Sequence, residues 1–472
     1  MHRVTLGVRL QILSCVVAIG VGTSAILVAQ TPQTFTLDQA IRYAADHYPT
    51  VRAALEQVNA STANVDVAKA AYLPRLDSVW QSNRATANNI FGQVLPQSVI
   101  PSLSGPVLPL ATGGSVWGSA AGALLSWEPF DFGLRQASVA AAEATVARAR
   151  AGEALTQLEV QAAVASACLN IAAAQRTVAA LQADLDRRDI LSRAVHVLVD
   201  NELRPGAEAS RSDAERAAAQ TRVIQAQQTV TLAGIALART LGLAAETVTI
   251  EATALGKPEP AEVIATASST HPLEGIHQAA VDAARAQEGV LSRTDLPRVY
   301  LQSSVSARGS GANPDGQLEG GAAGLGLERA NWAAGVQIVF PNAFDFASLR
   351  ARKAAAAAAT RSEAALFDEA VLTVTSQQRA AAAMLQAARA IAANMPIQLS
   401  AAQQSESQAR ARYQAGLTSI VEVADAQSLL AQAEVQDQLS RIDVWRALLA
   451  QAVAQGTLAP LLAAANVSGG AR

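Results

Sequence analysis

Two carboxylates give this sequence its sharpest functional feature. Glu422 and Asp425 lie three residues apart, on one face of a helix that starts just past the turn Tyr413-Gln414-Ala415-Gly416-Leu417-Thr418-Ser419. They concentrate negative charge at the end of a very long helical hairpin. The competing reading is structural, since acids in a helix's first turns complement its dipole. Nothing else in the chain offers a catalytic set, so an enzyme is not expected. His47, His196, His271 and His277 are scattered and read as surface residues, with no metal site among them. The glycine-rich stretch 309–326 lacks the Lys-Ser/Thr ending of a phosphate loop and reads as an exposed loop. No cofactor is called for. Cys168 sits in a helical stretch, where a lone thiol packs as a small apolar residue. A net charge of −3 supplies no basic field for nucleic acid.

The element that positions the carboxylates spans roughly 347–454. Its first arm is rich in Ala, Gln and Glu, which favour helix. Pro396 should kink this arm without ending it. Gly416 breaks the pattern as a C-cap glycine does, and Thr418 or Ser419 can cap the returning helix. The whole chain has 472 residues and is half apolar with only 4% aromatics, much of the apolar content being alanine. That composition suits helices packed closely along their length better than a large conventional core.

At the N-terminus, Arg3 and Arg9 precede an apolar run from Leu10 to Ala29, which reads as a secretory signal peptide over 1–29. A membrane anchor is the alternative, the run being nearly long enough to span. The apolar run continues well past Cys15, which argues against a lipoprotein signal there.

Thr36 and Gln39 form a capping box opening a helix expected to run to about Ala71, with Pro74 ending it. Residues 76–85 are mixed, 86–115 read as a long exposed loop, and Val116–Trp127 as a strand. The turn Glu128-Pro129-Phe130-Asp131-Phe132-Gly133 leads into a helix from about Leu134 to Asp200. Some 65 residues at 1.5 Å give on the order of 100 Å, the regime of coiled coils. Leu158, Ala162, Ala165, Leu169 and Ala172 keep the heptad rhythm. Residues 201–206 turn the chain and a second helix returns to about Leu241. The segment 244–270, with Val-Thr-Ile-Glu and Pro258 and Pro260, looks like a small separate element.

The second half repeats the first. Tyr48-Pro49 and Leu73-Pro74-Arg75 recur as His271-Pro272 and Leu296-Pro297-Arg298 at an offset of 223 residues. Phe130-Asp131-Phe132 and Glu202-Leu203 recur as Phe344-Asp345-Phe346 and Gly416-Leu417 at an offset of 214. Each half therefore reads as helix, strand, exposed loop, strand, very long helix, turn, helix. In the second half Val299, Leu301, Ser303 and Val305 alternate with Tyr300, Gln302, Ser304 and Ser306. Trp332, Ala334, Val336, Ile338 and Phe340 alternate with Ala333, Gly335 and Gln337. Runs near ten residues, the last with an aromatic at each end, match tilted transmembrane strands, with Trp332, Val336, Ile338 and Phe340 facing lipid. Open edges are not tolerated in lipid, so several chains would have to close one barrel.

The tandem copies, the Leu-Pro-Arg before each strand pair, Trp127 with Phe130-Asp131-Phe132-Gly133, and Arg412-Tyr413-Gln414-Ala415-Gly416-Leu417-Thr418-Ser419-Ile420-Val421-Glu422-Val423 resemble the TolC family of outer membrane efflux channels. The likeness covers about 36–460. It implies a mainly α fold with a β-barrel portion: a homotrimer with four strands per chain closing a 12-stranded barrel, continued by an α-helical tunnel across the periplasm. It implies that Tyr413 helps hold the periplasmic end closed and that Glu422 and Asp425 line the aperture, three chains supplying six carboxylates. The tips Gly416-Leu417-Thr418 and Glu202-Leu203-Arg204 would meet a periplasmic adaptor. Thr418 departs from the Arg of the best-known members, and Glu202 from their Gly.

The organisation expected is a signal peptide (1–29), a first repeat (30–243), an inter-repeat segment (244–270), a second repeat (271–457) and a C-terminal tail (458–472). The function expected is the passive outer membrane duct of a tripartite efflux or type I secretion system, partnered by the adaptor, an inner-membrane pump and outer membrane lipid. A periplasmic coiled-coil scaffold without a pore is the alternative. The strands discriminate, because a scaffold has no use for Trp332, Val336, Ile338 and Phe340 facing lipid.

Overall fold

The computed structural model describes residues 33–86, 114–243, 248–251, 270–313, 315, 317–341 and 345–470. The expected leader with Cys15, nearly all of the 86–115 loop, Pro258, Pro260 and Phe344 lie outside them.

The capping box forms as expected: Gln39 N donates to Thr36 Oγ1 at 3.3 Å and Thr36 N to Gln39 Oε1 at 3.1 Å. The helix it opens is shorter than expected, however. Helix α1 (Leu37–His47) stops at Tyr48, which is extended (ψ 129°), and Pro49 begins a separate helix α2 (Pro49–Ala70). Proline disfavours the helical conformation in the residue before it and is at home in a helix's first turn, so Tyr48-Pro49 divides the helix. Its repeat counterpart does the same: His271 is extended and Pro272 starts α5 (Pro272–Leu291). His271 is not a surface residue. It is buried, its Nδ1 accepting from Leu273 N at 3.1 Å while Nε2 lies 3.0 Å from Val453 O.

Strand β1 (Gln33–Phe35) pairs in parallel with β4 (Val248–Ile250). Residues 248–250 of the inter-repeat segment are therefore stitched to the start of the described chain. Four longer strands make one antiparallel sheet in the order β2 (Arg75–Thr86), β3 (Ser115–Phe130), β5 (Arg298–Ser310), β6 (Arg329–Val339). Strand β3 runs three residues further than expected, with an irregularity in register between Trp127 and Phe130.

The strands lead into the long helices α3 (Leu134–Asp200, 67 residues) and α6 (Phe346–Gln414, 69 residues). Asp131 makes the first junction. Its buried carboxylate accepts from Gly133 N (3.1 Å), Arg135 N (2.7 Å) and Arg135 Nε (2.8 Å), while Phe132 and Gly133 take positive φ. Pro396 lies inside α6, which continues through it. The partners α4 (Gly206–Leu241) and α7 (Ile420–Ala454) return antiparallel, and the C-terminal stretch forms α8 (Ala459–Gly470). The main core joins α1, α3, α4, α7 and α8 around Trp445, Leu169, Ile171, Leu237 and Leu241, all nearly inaccessible. Elsewhere buried small residues such as Ala219, Ala226, Ala402 and Ala433 let helices approach closely, and a second cluster around Val195, Tyr413, Ile420 and Val423 packs the tips.

Candidate functional site: the strand face and the hairpin tips

The sheet has two unlike faces. The register places Leu76 and Trp80 of β2, Leu125 and Trp127 of β3, Leu301 and Val305 of β5, and Val336 and Trp332 of β6 on one side. All of them are exposed, Trp332 at 80%. Ile338 shares this face, and Phe340, one residue past β6, is exposed as well. The other side carries Asp77, Gln81 and Asn83, then Gln302, Ser304 and Ser306, then Asn331 and Gln337. A sheet apolar outward and polar inward, with strands of 11 to 16 residues, has the pattern of a transmembrane barrel wall. Trp80 belongs to the apolar face, although alternation in 76–85 was too mixed to reveal it.

The loop between β5 and β6 is not simply exposed. It folds back on β3, with Ser119 Oγ donating to Gly324 O (2.9 Å) and Gly311 N to Trp117 O (3.0 Å). A Cβ on Gly324 would lie 2.0 Å from Trp117 O, so only glycine fits there.

At the opposite end of the long helices, the two hairpins finish in equivalent turns. Leu203 N bonds Leu198 O and Leu417 N bonds Arg412 O, both at or just under 2.9 Å, each closing over a left-handed residue. That residue is Gly416 (φ 78°) in the second tip and Glu202 (φ 61°) in the first. Leu203 and Leu417 follow, 68% and 71% exposed. Ser419 stands at the N-cap of α7, but neither hydroxyl caps the backbone. Thr418 Oγ1 instead donates to Glu422 Oε2.

Tyr413 is buried and ties the two hairpins together. Its hydroxyl donates to Glu208 Oε2 on α4 at 2.6 Å. Arg204 covers the ring at 4.6 Å and donates to Tyr413 O at 2.9 Å. Burial, then the bond to the Glu208 carboxylate, push the phenol up to about 12, so it stays neutral at any physiological pH. Sequence reasoning missed Glu208, and placed Arg204 in the first tip without its contact to Tyr413. The repeat offset of 214 residues could have found Glu208, since it pairs Glu208 with Glu422.

Glu422 and Asp425 come together as expected, on a groove of about 320 Å³ that Ser405, Gln408, Arg412 and Leu429 also line. They are not alike. Arg412 donates to Glu422 Oε1 at 2.8 Å, whereas Asp425 is exposed with no ion pair among the described residues. Further along the helices, Arg188 is almost wholly buried between α3, α4 and α7. It bonds Asp184 (3.0 Å), Glu215 (3.0 Å) and Ser428 (3.1 Å), and Arg187 grips Glu434 with two bonds. These paired charges bridge the neighbouring hairpins.

The family model for "Outer membrane efflux protein" matches residues 40–243 and 277–455, one stretch in each repeat. The chain belongs to the outer membrane efflux protein family. No curated sequence relative matches it. Solved structures agree on the fold. The outer membrane protein VceC from Vibrio cholerae has a TM-score of 0.69 at 18% identity, covering 89% of this chain and 96% of its own. The Campylobacter jejuni CmeC outer membrane channel has 0.69 at 15%, covering 89% and 85%. The Neisseria gonorrhoeae MtrE outer membrane channel has 0.66 at 19%, covering 89% of each. This efflux protein is thus an outer membrane channel component by family, and its strands and long helices have the fold of solved outer membrane channels. The pore-less scaffold has no support from the family or from the sheet.

Proposed function

We propose that three copies of this chain form a passive exit duct, docked through its hairpin tips to a periplasmic adaptor and, through it, to an inner-membrane pump. One observation carries the trimer: the four-stranded sheet leaves β2 and β6 with unpaired outer edges beside an apolar face. Lipid does not tolerate such edges, and pairing β6 of one copy with β2 of the next removes them. Three copies give twelve strands, enough to enclose a water-filled lumen. Helices of 67 and 69 residues supply on the order of 100 Å of tunnel beneath.

The exposed Leu203 and Leu417, held at the ends of two equivalent turns, are the adaptor-docking points, with Gly416, Thr418 and Glu202 shaping the tips. Tyr413, Glu422 and Asp425 stand at the constriction. The mass of the detergent-solubilised mature protein should correspond to three chains, and a monomer would remove the duct. Leu417→Glu should abolish adaptor crosslinking at the second tip while leaving that mass unchanged. Normal crosslinking in the variant would sink the tip assignment.

A further inference from the structure

The paired acids are not equal contributors to the constriction, and the residue that makes them unequal is Arg412. On the reading that this end of the tunnel forms the aperture, we propose that Arg412 sets the channel's ion selectivity by cancelling the charge of Glu422. The cation-attracting ring is then Asp425 alone, three charges around the axis instead of six.

Glu422 accepts from Arg412 at 2.8 Å and also from the Thr418 hydroxyl, so two donors from two sides occupy its carboxylate. Thr418 stands in the connecting turn and Arg412 is on the last turn of α6, so the grip closes within one hairpin and needs no second chain. Asp425 lines the same groove, is exposed and has no ion pair among the described residues. The nearby Arg410 does not serve it, since it is engaged one turn back by Glu406 at 3.2 Å.

Surface exposure makes the Arg412–Glu422 pair weak as a source of stability, but stability is not its role here. Two opposite charges in contact present a dipole, whose field decays faster with distance than that of a lone charge. Across a wet aperture screened over about 8 Å, an ion meets the pair as nearly neutral and Asp425 as a full charge. The repeat sharpens the point. At the offset of 214 residues, Asp425 corresponds to Arg211 in the first hairpin, so the second alone presents an unpaired acid there.

The test is the reversal potential of single channels in a planar bilayer under a potassium chloride gradient, with trimer mass checked for each variant. Arg412→Gln should raise the potassium-over-chloride preference by about threefold. Arg412→Lys should leave it at the wild-type value, because the charge is kept. The double variant Arg412→Gln with Glu422→Gln should also match wild type, since it removes a neutral pair. Asp425→Asn should lose most of the preference. If Arg412→Gln is without effect, or the double variant loses as much as Asp425→Asn, the cancellation is wrong. If Asp425→Asn itself changes nothing in a conducting trimer, the aperture does not lie at these residues and the underlying reading fails.

Discussion

The two hairpin tips share a backbone but use their equivalent carboxylates differently. Glu208 in the first hairpin and Glu422 in the second are related by the repeat offset. Glu208 is largely buried and turned toward the other hairpin, where it accepts from Tyr413 and neighbours Arg204. Glu422 is half-exposed and stays within its own hairpin, bonded to Arg412 and Thr418. The first hairpin therefore acts as a strut against which the second is latched, while on the proposed reading the second carries the charges that passing ions meet. Duplication supplied two copies of one geometry, and a few side chains assigned them different tasks: Arg204 against Thr418, and Arg211 against Asp425.

The largest test of that contrast is to truncate both glutamates. Glu208→Ala leaves the buried Tyr413 hydroxyl without its acceptor and Arg204 without its ion-pair partner, and should cost about 2 kcal/mol. Glu422→Ala should cost less than about 1 kcal/mol, because its partners can turn to water. Thermal unfolding of the helical signal in each variant reads the difference, and equal losses would erase the distinction between strut and aperture.

The left-handed residue gives the next effect. Glu202 (φ 61°) adopts a conformation that glycine takes without strain, so Glu202→Gly should stabilise the first tip by about 1 kcal/mol. Gly416→Ala should destabilise the second by a similar amount. Local hydrogen exchange at the two turns would show it, with opposite signs expected.

The smallest effect is in pH. Asp213 on α4 bonds His196 and Ser192 on α3, and the His196 bond foremost holds its carboxyl below the usual range. A carboxylate with a lowered pKa lends stability above its unfolded value, and that stability is lost as pH falls through the folded one. The first hairpin should therefore loosen modestly in acid, and Asp213→Asn should remove that dependence. The Tyr413 latch should show nothing until strongly alkaline pH. A phenol raised to about 12 keeps its stabilisation below the usual tyrosine range and loses it only as pH rises toward that value.

Much of this architecture was legible because it is written in local pattern. Gly416 marks a turn, alternation in 329–339 marks a half-apolar strand, and long stretches with few breakers mark helices of nearly 70 residues. The duplication doubled each signal. What stayed hidden depends on contacts between distant residues. Tyr413 and Glu208 are 205 positions apart, and no local rule pairs them. His271 looked like a surface histidine until its bond to Val453, 182 residues on, showed it buried at a helix start. The division at Tyr48-Pro49 was readable from proline's steric rule alone. In the site itself, the two acids were visible by spacing, but their inequality was not, because it turns on which of two neighbours Arg412 chooses.

The account rests on a closed, water-filled barrel made by three copies, and single-channel recording of the mature protein in a lipid bilayer tests that most directly. Discrete conducting steps that favour cations, from a species whose mass is three chains, are the predicted result. A trimer that inserts but never conducts, or a protein that stays soluble and monomeric, would contradict it.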